Sequence, residues 1–137
     1  MHWITTTHIA VTWMLVGLIW VVQILVYPQF SRVAARDFPE YHFAHCFRIA
    51  LIVVPQMFVE AATAVWLLHE GIRATPFLIS AGLILVVWLS TAVFQAPTHI
   101  RLMRKFDASL IHHVTLTNWI RTLAWTARGF LVSFALS

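Results

Sequence analysis

His42 and His45 lie three residues apart, and Glu60 follows them on one apolar stretch, residues 42–68. Imidazoles at i and i+3 of a helix point the same way and can share a metal ion or pass protons. A carboxylate inside hydrocarbon is costly and needs a partner or a task. At about 100° per residue, His42, His45, Gln56, Glu60 and Thr63 fall within roughly 60° of one another, on one face of one helix.

The same rotation groups the polar residues of the other apolar stretches. Thr5, His8, Thr12 and Gln23 form one stripe, and Ser80, Thr91, Gln95, Thr98 and His99 a second. Asp107, Thr115, Asn118, Arg121, Thr122, Trp125 and Arg128 form a third. Pointing every stripe inward is the cheapest arrangement in a bilayer. His112 and His113 fall off the last stripe, and His2 and His69 sit at membrane edges, so these four read as interfacial.

A rise of about 1.5 Å per residue divides the inward residues into layers. One layer holds Gln23, His42, His45, Gln95 and His99. The other holds His8, Thr12, Glu60, Thr63, Ser80 and Arg128, with Gln56, Asn118 and Arg121 between them. His45 and Glu60 are separated by about 22 Å along their helix, so they serve two sites or two ends of one cavity. In the first layer His42, His45 and His99 are expected metal ligands for zinc, copper or iron, with Gln23 and Gln95 orienting them.

In the second layer Glu60 is expected to pair with Arg128 or Arg121, and His8 is a proton-transfer group or an axial haem ligand. The guanidinium of Arg121, near mid-bilayer, needs an anion: Glu60, or the carboxylate, phosphate or propionate of a bound molecule. Asn118 and Trp125 share its face, and Trp125 can wall a cavity for a flat ligand. No Glu-x-x-His pair occurs, which argues against a bundle di-iron centre.

These positions need elements to carry them. Of 137 residues, 61% are hydrophobic and only 10% charged, against about 25% charged in ordinary soluble domains. The chain reads as an all-α integral membrane protein, one domain over 1–137, with transmembrane helices at about 5–28, 42–68, 76–97 and 109–135. Short connections predict an up-down-up-down four-helix bundle. The first span is expected to be retained, since it has neither a basic n-region nor a small-residue cleavage site.

Arg32, Arg36 and Arg48 flank the first connection and Arg101, Arg104 and Lys105 the third, whereas only Arg73 lies near the opposite side. That bias places both basic connections in the cytoplasm and both termini outside, in a bacterial-type inner (plasma) membrane. The basic residues orient the chain, and nucleic acid is not an expected partner. Pro55 should kink the second span or free a carbonyl within it. Cys46 is the single cysteine, which excludes an intrachain disulfide and a cysteine-based zinc or iron–sulfur site.

The run 8–18, with His8, Thr12, Trp13 and Gly17, continuing to Tyr27, resembles the first helix of small four-helix membrane proteins of the HemJ-like protoporphyrinogen oxidase type. The resemblance implies a haem-binding role for His8. The second half, with Gln95, Pro97, His99 and Leu102 followed by Asn118, Trp119, Arg121 and Thr122, is similar to anthrone-oxygenase-like four-span proteins. That similarity implies oxidation of a polycyclic aromatic compound.

The leading expectation is a membrane-embedded redox protein or oxygenase that binds haem, a transition metal ion or a flat hydrophobic or aromatic small molecule in a polar bundle interior. His8, His42, His45 and His99 are its ligand candidates, Glu60 its proton carrier, and Arg121 with Arg128 its anion clamp. Two other classes fit the same stripes. One is a proton-coupled transporter or channel subunit, working as a homo-oligomer, and the other a structural assembly subunit.

Overall fold

A computed structural model describes residues 2–136. Four helices account for nearly all of them, with no strand among the described residues: α1 (His2–Arg32), α2 (Phe38–His69), α3 (Thr75–Leu102) and α4 (Ala108–Leu136). The first three are long and apolar enough to cross a membrane. The fourth is as long, but Thr115, Thr117, Asn118, Arg121, Thr122, Thr126 and Arg128 dilute its apolar character. The helices overrun the expected spans by a few residues because the polar ends continue the helical backbone.

Local chemistry sets the ends. The Asp107 carboxylate accepts the Ser109 and Leu110 backbone N–H groups at 2.9 and 3.1 Å, capping α4. After α2, the Gly71 N–H reaches the Leu68 carbonyl at 3.2 Å and the Ile72 N–H reaches that of Leu67 at 3.1 Å. This closure needs a left-handed residue at its turn, and Gly71 supplies it with φ +90°. Pro39 and Pro76 occupy the first turns of α2 and α3, where a missing N–H costs nothing. Pro55 sits inside α2, which remains one continuous helix.

Both α1 and α3 widen into a π-helical turn, at Val22–Val26 and Thr91–Gln95. The Tyr27 N–H reaches back to the Val22 carbonyl and the Ala96 N–H to that of Thr91. In each case a proline follows at once, Pro28 and Pro97. Proline cannot donate to the carbonyl four residues back and its ring presses on that carbonyl, so a wider turn absorbs the conflict.

The helices pack in a ring: α1 lies against α2 and α4, and α3 lies against α4. The contact between α2 and α3 is concentrated near Ala96–Leu102, where α3 ends. An apolar core of Leu15, Ile19, Val22, Phe30, Phe38, Val87, Val114 and Trp125 fills the middle. A smaller cluster of Ile4, Leu67 and Phe77 seals one end. Most other large apolar side chains, among them Phe43, Phe58, Leu85 and Phe134, face outward, as expected of a surface that meets lipid.

Candidate functional site

The polar stripes do meet inside the ring, and they form two layers with different partners. In the layer near the α2 C-terminus, Glu60 Oε1 accepts from Arg128 Nη2 at 2.9 Å and Nε at 3.1 Å. Thr12 Oγ1 donates to the same oxygen at 3.1 Å, and Trp125 Nε1 donates to Oε2 at 3.1 Å. Arg128 Nη1 donates to the Ser80 carbonyl and hydroxyl. Glu60 is 1% exposed and Arg128 fully buried, so each ion's charge is neutralised by the other and by polar groups around them.

His8 lies in this layer, 2.8 Å from Thr63 Oγ1 through Nδ1. The Thr63 hydroxyl already donates to the backbone of α2, so Nδ1 of His8 carries the proton. His8 Nε2 is then a buried acceptor without a hydrogen bond, in a ring packed edge-on to Phe77.

The other layer starts from Gln23, whose Oε1 accepts from Asn118 Nδ2 at 2.9 Å and Thr122 Oγ1 at 3.2 Å. Asn118 Oδ1 in turn accepts from Arg121 Nε at 2.9 Å and Nη2 at 2.7 Å. The remaining contacts of Arg121 are longer, 3.3 Å to the Tyr27 hydroxyl and 3.3 Å to Thr91 Oγ1. The guanidinium is also 5.9 Å from the Trp125 ring centre. Trp125 therefore separates the layers, bonded to Glu60 at its edge and facing Arg121.

Beyond Arg121 the network reaches the histidines. Tyr27 Oη is 2.9 Å from His99 Nε2, and His99 Nδ1 is 3.0 Å from His42 Nε2. The two imidazoles stack with centres 5.1 Å apart, and Phe38 stacks on His42 at 5.1 Å. The π turns of α1 and α3 bring Tyr27, Thr91 and Gln95 to the depth of this network. Gln95 Nε2 donates to Thr117 Oγ1 at 3.1 Å, while its Oε1 is buried without a partner.

His42, Cys46 and His99 each offer one ligand atom, and these atoms all lie within 4.8 Å of one another. His45, the expected third ligand, stands aside with its ring centre 6.1 Å from that of His42 and packs on Phe30. The i,i+4 spacing of His42 and Cys46 puts the thiol, not the second imidazole, in the tight group. A lone cysteine cannot build an all-thiolate site, but Cys46 stands beside two imidazoles, where a mixed set of donor atoms converges.

Beside this group lies a cleft of about 280 Å³, lined by all four helices. Its walls are mainly apolar, and His45, Cys46, His99, Gln95, Tyr27 and Arg121 bring the polar atoms. Neither His8 nor Glu60 belongs to its lining. Sequence spacing assigns these polar residues to the same two layers but gives Tyr27, whose hydroxyl reaches His99 and Arg121, no place in them. Its signal is the adjacent Pro28, which forces the π turn. Searches against known protein families, curated proteins and solved structures return no match to the chain.

Proposed function

We propose that this chain is a four-span, up-down-up-down membrane bundle that holds a soft transition-metal ion beside a cleft for a lipophilic molecule and acts as an oxidoreductase on it. The observation that carries this reading is the convergence of His42, Cys46 and His99 within 4.8 Å at the edge of the apolar cleft. Two imidazoles and one thiolate are the donor set of copper electron-transfer sites, and soft sulfur favours copper over harder ions. One-electron exchange is the chemistry such an ion supplies.

The surrounding residues suit that task. With His99 ligating through Nδ1, its Nε2–H donates to Tyr27 Oη, which fixes the ring's orientation and tautomer. Phe38 and Phe30 pack against His42 and hold it in place. Met57 and Met103 line the same cleft and add soft side chains to its wall. Between haem and a metal ion, the geometry favours the ion, because His8 lies outside the cleft. Glu60 and Arg128 form the structural pair of the other layer, and Arg121 alone of the two arginines faces the cleft.

Lipid-facing apolar surface and the loop charge bias support a plasma-membrane location with both termini outside the cytoplasm. A proton-coupled transporter is the second reading, favoured by the hydrogen-bonded run from Tyr27 through His99 to His42. The run does not continue to Glu60, whose oxygens are all engaged.

Metal analysis of the purified protein separates these readings. We expect close to one copper per chain in the wild type and in His45→Ala, and its loss in His42→Ala, Cys46→Ser and His99→Ala. Folded protein that takes up no metal, together with proton flux in liposomes that stops in His99→Ala, would replace the redox reading with the transporter.

A further inference from the structure

Among the described residues, Arg121 is a cation without a carboxylate. Of the five acidic residues, Asp37 pairs with Arg36 outside the bundle interior, Glu40 and Glu70 sit at the ends of α2, and Asp107 caps α4. Glu60, the one acid of the interior, is taken by Arg128. Arg121 is 8% exposed and its described partners, Asn118, Tyr27 and Thr91, are all neutral. A guanidinium held so deep in a low-dielectric interior favours an anion that fits its planar fork.

The cleft beside it is shaped for what such an anion would carry. Of its lining residues, Leu15, Ile19 and Trp125 on α1 and α4 are buried, whereas Val54 on α2 and Ile100 on α3 are 44% and 53% exposed. The cleft therefore opens sideways between α2 and α3, onto the surface that faces hydrocarbon. Phe58 and Trp88, with ring centres 5.3 Å apart, close the gap between the two helices above it. Its volume of about 280 Å³ is at the small end of ligand pockets and suits one acyl chain better than two.

We propose that the cleft binds a single-chain lipophilic carboxylate taken directly from the bilayer, its carboxylate on Arg121 and its chain along Ile19, Ile49 and Val53. The inference rests on the membrane placement above and deepens the redox reading by naming the class of molecule that lies beside the metal group. A carboxylate sheds its water more cheaply than a phosphate dianion does, and the longer bonds of Arg121, to Tyr27 and Thr91, are the ones it would exchange. Gln95 Oε1, buried without a partner, lines the same cleft and suits a protonated or hydroxylated neighbour of the head group.

The test is binding of dodecanoate to the purified detergent-solubilised protein, as isolated and after chelation, followed by calorimetry, with methyl dodecanoate and dodecyl phosphate as comparison probes. Dodecanoate should bind the wild type, and roughly tenfold to hundredfold more weakly in Arg121→Gln, the range lost with a charged hydrogen bond. Val53→Trp, which fills the cleft and keeps Arg121, should lose binding while retaining helix content and metal. Equal affinity for the methyl ester, or binding unaffected by Val53→Trp, would overturn the proposal. Preference for dodecyl phosphate would assign the site to a phosphate lipid instead and overturn the carboxylate. Metal-free protein that still binds dodecanoate leaves this inference standing while the metal reading fails.

Discussion

At the scale of single residues, the two arginines of α4 play different parts although their sequence surroundings are alike. Arg128 meets Glu60 and Ser80, and Arg121 meets only neutral groups and the Trp125 ring. Breaking the first pair leaves a buried charge alone, so Glu60→Gln and Arg128→Gln should each cost about 3–5 kcal/mol, read as a lowered unfolding midpoint in detergent. Replacing both by apolar residues of similar size, Glu60→Leu with Arg128→Met, should recover much of the loss. Arg121→Gln should be far milder in stability, because no carboxylate is left behind. Rotation by 3.6 residues per turn made the stripes legible, and depth counting put Glu60 level with Arg128. What the sequence could not show is which of two arginines reaches Glu60, since that depends on the α2–α4 diagonal and not on either helix alone.

At the scale of the elements, the helices themselves were evident from apolar run length, but their irregular turns were not. A π turn leaves the hydrophobic pattern nearly unchanged while shifting the residues beyond it by part of a turn. Pro28 and Pro97 are plain in the sequence, but the widened turn just before each, which lies beside Tyr27 and Gln95 of the cleft, is not. Deleting Val93, an outward residue 59% exposed, should return that turn of α3 to an ordinary α-helix. We expect helix content by circular dichroism to hold while metal affinity falls at least about tenfold, since Thr91 and His99 can no longer both keep their depths. A second element contact is close by design of the backbone: a Cβ on Gly129 would lie 3.2 Å from three atoms of the Trp13 ring. Gly129→Val should therefore cost about 1–3 kcal/mol, and Trp13→Ala in the same chain should make the two effects less than additive.

At the scale of the whole molecule, the ring of four helices is closed on three sides and loosest between α2 and α3. In the proposed reading the cleft opens through that looser side, while Glu60 and Arg128 of the other layer stay buried by their own partners. In the proposed placement, α4 crosses the membrane despite its polar face because its polar residues Asn118, Arg121, Thr122 and Arg128 are buried against its neighbours. Reporter fusions check this: an alkaline phosphatase fused after residue 136 should be active, and one fused in the loop at 103–107 should be inactive. Two active fusions would mean that α4 does not cross.

The central claim is that two imidazoles and the Cys46 thiolate hold one metal ion beside the cleft. X-ray absorption at the copper edge of the purified, copper-loaded protein tests it most directly. The account predicts one sulfur scatterer and two imidazole nitrogens, with the sulfur absent in Cys46→Ser and unchanged in His45→Ala. A spectrum with only nitrogen and oxygen neighbours, identical in wild type and Cys46→Ser, would contradict it.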